Sequence, residues 1–322
     1  MRTAEFGEFH FPFVGRRNSL LALTLGLSNL VACETGGGLR SPRGTSEATG
    51  GNLGSFAVGG TGGASGFPAV SVGGRYTDHC VLNADQTISC LPEDSQVSPP
   101  RGTFTSLSVG GFLEGCGVRA DGTLACWGNT GTPPTGTFKS VSVGLGGSSP
   151  CAVRTNGTIV CWSESSTNPF APPPGTFTSV SVGGSFACGV KTDGTVACWR
   201  GSRINPPEAI AGTFTSFSVG DPAMCGIRSD GTVACAMVGS SGCTDNGADC
   251  LIIKPPAGTF TAVSVGRNLA CGIKIDGTLA CWPDWFSEIP TGTFTSVSVG
   301  GDGGACGVRT DGNVVCWSCP HR

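Results

Sequence analysis

Histidine, tyrosine and methionine are nearly missing from this 322-residue chain, which holds three His, one Tyr and three Met. Chemistry that runs through imidazole therefore has few places to sit. His10 lies near the N-terminus, His321 is penultimate and His79 stands alone beside Cys80, so a His-dependent nucleophile triad would have to use His79. No Gly-x-Ser-x-Gly elbow accompanies it. Charge is scarce too, with Asp, Glu, Lys and Arg together at 13%. From Cys33 onward the chain carries 16 Lys and Arg against 20 Asp and Glu with no basic cluster, a mildly acidic balance that argues against nucleic acid as a partner. The apolar run from Leu20 to Ala32 is too short to span a bilayer.

Glycine, at 54 residues, and cysteine, at 18, are what the chain has in quantity. Their placement is periodic. Cysteines ten positions apart recur as Cys80/Cys90, Cys116/Cys126, Cys151/Cys161, Cys188/Cys198, Cys225/Cys235, Cys271/Cys281 and Cys306/Cys316. The first members of successive pairs are 36, 35, 37, 37, 46 and 35 residues apart, so the chain holds seven repeats and only the fifth carries an insertion. Repeat closure allows one domain of about 250 residues where length alone suggests two.

In the unit spanning residues 175–199, Val180 and Val182 alternate with Ser179 and Ser181, the period-two signature of a strand. A second run from Cys188 to Lys191, then Thr192-Asp193-Gly194, then Thr195 to Trp199, predicts a hairpin with Gly194 in the left-handed position. That three-residue loop sets Cys188 opposite Cys198, at a separation that admits a disulfide. Asp121-Gly122, Asn156-Gly157, Asp230-Gly231, Asp276-Gly277 and Asp311-Gly312 repeat the turn, while Asp85-Gln86 replaces the glycine and predicts strain at Gln86. The acids are read as turn chemistry, not as paired catalytic carboxylates.

Structural zinc needs closely spaced Cys or His ligands, whereas nine residues separate the members of each pair here, and only Cys316 and Cys319 have C-x-x-C spacing. Behind an export signal the pairs predict disulfides. Cys243 and Cys250 form a further candidate pair closing a small loop in the fifth unit; its Asp and Asn oxygens also leave a calcium loop open, without EF-hand spacing. Cys319 is the odd one out. No metal and no cofactor is expected.

The pattern Phe-x-x-Val-x-x-Gly, a short strand, Asp-Gly and a Cys-Trp end resembles the bacterial form of the repeat named after the regulator of chromosome condensation. The resemblance covers residues 67–322. It implies an all-β fold, a seven-bladed β-propeller with disulfide-stapled hairpins. The family's His before the second strand is matched at most by His79, and its Gly-Gln-Leu-Gly turn is absent. No position matches the nucleotide-exchange loop of the eukaryotic namesake, so that activity is not implied. Trp127, Trp162, Trp199, Trp282 and Trp317 end their units, with Leu91 and Ala236 in the other two. They read as blade fillers, with sugar stacking as the alternative.

Ahead of the repeats, residues 1–33 read as a lipoprotein-type signal peptide: Arg16-Arg17, the apolar run and the lipobox-like Leu30-Val31-Ala32-Cys33, with Cys33 the expected acylation site. A buried core helix is the alternative. Residues 34–66 have the Gly/Ser-rich composition of a tether, although Asn52 to Val58 could add an outer strand to the last blade. These readings predict an exported protein, lipid-anchored to a bacterial cell envelope and touching membrane only through that anchor. It is read as a non-enzymatic binding module for a protein or envelope component. An inhibitor of the kind that plugs β-lactamases, which this family contains, and a carbohydrate-binding propeller are the alternatives. The connections after the innermost strands are the expected partner-binding elements. They offer Arg75, Tyr76, Asp78, His79, Phe112, Leu113, Glu114, Phe186, Met224, Arg267 and Asn268, a mixture rich in hot-spot chemistry. The competing reading makes Phe112, Phe186 and Met224 apolar plugs of the strand ends.

Overall fold

Three antiparallel strands per repeat, seven times over, account for the regular structure of the described residues. The computed structural model describes residues 69–73, 79–91, 98–111, 114–144, 149–163, 170–200, 210–237, 254–267, 269–283, 289–301 and 303–318. The signal, lipobox and tether readings, and the Asn52 to Val58 strand, lie outside them, as do Cys33, Cys243, Cys250 and Cys319. The fold is the expected all-β, seven-bladed propeller. Every blade is built from consecutive strands, as in β10 (Phe177–Val182), β11 (Phe186–Lys191) and β12 (Val196–Arg200), in the order β10-β11-β12.

The hairpin register is the one the spacing requires: Cys188 pairs with Cys198 and Val190 with Val196. All seven pairs are disulfides, each with Cα atoms 4.0 Å apart, closer than a typical opposed pair and consistent with the narrow, non-hydrogen-bonded site of an antiparallel ladder. An oxidising compartment follows from seven such bonds. At the turns the glycines take positive φ, 82° at Gly194, and Gln86 is the one described non-glycine residue to do so, at 66°. Six of the seven turns also reach into the next blade. The carbonyl of Gly194 accepts the N–H of Phe214 at 2.8 Å, and Gln86, Gly122, Gly157, Gly231 and Gly277 accept the equivalent Phe amides at 2.8–2.9 Å.

Alternation in the first strand of each unit does not translate into one dry and one wet face. In β13 (Phe214–Val219) the last four residues are all buried, Ser216 and Ser218 included. The reason is position. The innermost strand lies between two neighbouring blades, so its valine face packs against one and its serine face against the other. Ser218 lies where a small, hydrogen-bonding side chain fits.

Candidate functional site

Innermost strands converge on the propeller axis, and their last residues define what the centre can hold. Ser71, Ser108, Ser142, Ser181, Ser218, Ser264 and Ser298, each followed by Val, line an axial cavity of about 30 Å³. A cavity of this size holds a water or two and nothing larger. Each serine Oγ accepts the backbone N–H of the valine one blade on: Ser71 from Val109 at 2.9 Å, Ser108 from Val143 at 2.9 Å, Ser142 from Val182 at 3.0 Å, Ser181 from Val219 at 2.9 Å, Ser218 from Val265 at 3.0 Å and Ser264 from Val299 at 3.0 Å. The cycle closes where Ser298 accepts from Val72 at 3.0 Å. An innermost strand has an unpaired edge, and this ring satisfies one buried donor on each. Just beyond it, glycines touch from blade to blade: a Cβ on Gly183 would run into the carbonyl of Gly220, and one on Gly220 into that of Gly266.

From there the chain turns outward through the loops singled out as partner-binding elements. Arg75, Tyr76, Asp78, Phe112, Leu113 and Asn268 lie outside the described residues. Arg267 is exposed and Glu114 half-buried, with the Glu114 carbonyl accepting the Gly110 N–H at 2.7 Å. Phe186 and Met224, in contrast, are buried in the core between the fourth and fifth blades and present no surface to a partner. Between those blades Ser185 donates to the Asp221 carboxylate at 3.3 Å. His79 opens β2 (His79–Leu82), is buried, and rests on the last blade's disulfide, with Nδ1 3.6 Å and Nε2 4.0 Å from Cys316 Sγ. His79, Cys306 and Cys316 bring three ligand-type atoms within 4.8 Å of one another. The two sulfurs are bonded to each other, so in this state they are not thiolate ligands.

The opposite face carries the hairpin turns. Asp121, Asp193, Asp230 and Asp276 each accept the hydroxyl and the backbone N–H of the Thr two residues on, at 2.6–2.9 Å. Those bonds, the hydroxyl first, hold the carboxyls below their ordinary 3.8. Asp85 is lowered by Thr87 in the same way, and Asp311 chiefly by the backbone N–H of Asn313. The arginines beside these turns lie over the Phe rings that open their blades: the Arg119 guanidinium lies 5.2 Å from the centroid of Phe104 and donates to the Arg101 carbonyl at 3.0 Å, and Arg154, Arg228 and Arg309 stand over Phe138, Phe214 and Phe294.

The serine ring was visible in the sequence as the one Ser that precedes the last Val of every unit, a signal that strand alternation alone does not distinguish. The contact between His79 and Cys316 had no local signal, because 237 positions separate the two.

The chain matches no protein-family model and no curated protein. Among solved structures it is similar to the ectodomain of the receptor kinase CR4 from the moss Physcomitrella patens, at 25% identity and TM-score 0.65 over 79% of this chain and 73% of that one. The CRINKLY WD40 ectodomain of the receptor kinase ACR4 from Arabidopsis thaliana follows at 23% identity and TM-score 0.61, over 80% of this chain and 96% of that one. Prp20p from Saccharomyces cerevisiae, an RCC1 protein, shares the fold at 11% identity and TM-score 0.55, with 82% of each chain covered.

Proposed function

We propose that this protein is an exported, lipid-tethered propeller that recognises a protein or cell-envelope partner through the loops following its innermost strands. The observation that carries this reading is the contrast between centre and rim. The axial cavity, at about 30 Å³, is too small for a substrate, and its serines and glycines are engaged in joining blades. Recognition is left to the loops, where the repeats diverge in sequence. Similarity to two plant receptor ectodomains supports an extracellular setting, and Prp20p is a propeller of this shape studied for its binding to Gsp1p and histones. Acylation of Cys33 would supply the tether, with residues 1–33 as the signal and 34–66 as the spacer.

The test compares two proteins. Oxidised wild type and a Tyr76→Ala, Phe112→Ala, Arg267→Ala variant are each immobilised and exposed to solubilised envelope from the source cell. A partner held by the wild type and lost by the variant, at unchanged melting temperature, supports the reading. Equal retention of that partner by both overturns it.

A further inference from the structure

Seven hairpin disulfides in one chain form a natural series in which only the neighbour changes. The residue just before the first cysteine of a blade faces the previous blade's disulfide: Met224 Sδ lies 3.9 Å from Cys188 Sγ, and His79 Nδ1 lies 3.6 Å from Cys316 Sγ. At the other five positions that residue is Gly115, Pro150, Ala187, Ala270 or Ala305, none with a proton to give from its side chain. Access is nearly matched across the series. The first cysteine of every pair is fully buried, and Cys90, Cys126, Cys161, Cys198, Cys235 and Cys316 are all half-buried, with Cys281 a little less open.

We infer that Cys306–Cys316, served by His79, is a thiol-exchange site that reacts with external dithiols ahead of its six siblings. The thiolate of a small or protein dithiol attacks Cys316 Sγ, the accessible sulfur. The S–S bond breaks and its electron pair passes to Cys306 Sγ. His79, with a ring nitrogen within 4.8 Å of both sulfurs, delivers a proton to the departing thiolate and is reprotonated by the second thiol of the reagent. That second thiolate then attacks the mixed disulfide, closing the reagent's own disulfide and releasing Cys316, which takes up a proton. Two electrons and two protons have moved from the dithiol to the protein. Both ring nitrogens lie within 4.0 Å of Cys316 Sγ, so the protonated ring, the form that can give up a proton in this step, places a nitrogen-bound hydrogen near the sulfurs from either nitrogen. General acid assistance commonly contributes about 10²–10⁴-fold, and the partial burial of this site sets the expectation at the lower end.

The experiment treats the folded protein with graded dithiothreitol without denaturant, quenches in acid, alkylates the freed thiols and quantifies the fourteen hairpin cysteines by peptide mass spectrometry. Cys306 and Cys316 are expected to be labelled about a hundredfold faster than the median of the other pairs. In His79→Gln that lead disappears, and in Met224→His the Cys188–Cys198 pair gains a lead of its own. Reduction at sibling rates overturns the proposal, as does a lead that survives His79→Gln, which would trace it to opening of a terminal blade. Cys80–Cys90, in the other terminal blade, is the internal reference for such opening. Should His79→Gln fail to fold, Met224→His decides: acceleration at Cys188–Cys198 supports the role of the imidazole, and none overturns it.

Discussion

Two serines in one strand make opposite predictions. Ser218 and Ser216 both lie in β13, and both are buried, at 1% and 0% exposure. Ser218 Oγ accepts the Val265 amide of the next blade at 3.0 Å. Ser216 Oγ has no hydrogen-bond partner among the described residues. Replacing Ser218 with Ala removes an acceptor from a buried N–H, leaving that donor unsatisfied at a cost of about 1–3 kcal/mol. Replacing Ser216 with Ala removes a buried hydroxyl that already bears its desolvation uncompensated, so the expected change lies between zero and a gain of about 1 kcal/mol. For a domain of this size each kcal/mol moves the melting temperature by about 2–4 °C. Ser218→Ala is therefore expected to melt roughly 2–12 °C below wild type, and Ser216→Ala at or slightly above it. Differential scanning calorimetry with the disulfides intact measures both. Equal losses from the two substitutions would refute the assignment of the ring to the second serine of the pair.

Gly220→Ala sets a methyl against the Gly266 carbonyl, which is backbone and cannot swing away, so a loss of about 2–3 kcal/mol or more is expected from guanidinium unfolding. Gln86→Gly relieves a left-handed non-glycine residue at φ 66° and is expected to raise stability by roughly 1 kcal/mol in the same assay. Acid should weaken the turn face: a carboxyl whose folded value is depressed stabilises above its unfolded value and loses that contribution as pH falls through the folded one. With an ordinary value of 3.8 for these groups, the loss runs from about pH 4 downward. A melting temperature measured from pH 6 to pH 2 should fall across that window, and fall less when Asp121, Asp193, Asp230 and Asp276 are all changed to Asn; Asn156 already makes the same bond to Thr158 without a charge.

Fold and staples were legible because their determinants are local. Ten positions between cysteines, a glycine that must take positive φ and a three-residue turn fix the register of Cys188 against Cys198 without reference to any other blade. Burial was less legible. A valine-serine alternation describes a strand with one apolar face, and nothing within the strand says that the serine face meets another blade, where Ser181 holds the Val219 amide. The same blindness affects the loop residues. Phe186 and Met224 follow the innermost strand closely enough to resemble rim anchors, yet each already belongs to the next strand and points into the blade-to-blade core. Arg267 is one residue past its strand-ending glycine and is exposed. Depth in a propeller changes within two or three residues of the strand end, finer than composition can resolve.

Ring closure follows from the same local rule. Because every sheet is made of consecutive strands, no blade among the described residues is assembled from both ends of the chain, and the seam between the last and first blades must hold by the contacts used everywhere else. It does. Ser298 accepts the Val72 amide at 3.0 Å, Ser296 accepts that of Val70 at 3.4 Å, and Gly300 meets the Gly73 carbonyl as Gly220 meets Gly266. The serine ring and the glycine contact at the seam thus repeat those of the six covalently continuous junctions, while the Ser296 bond is an addition that the equivalent Ser216 does not make among the described residues. A further departure, in chemistry, is His79, which stands on the last blade's disulfide where the other junctions place a residue with no titratable side chain. A junction held by the common mesh can carry that substitution without losing closure, which is why a reactive group can reside there.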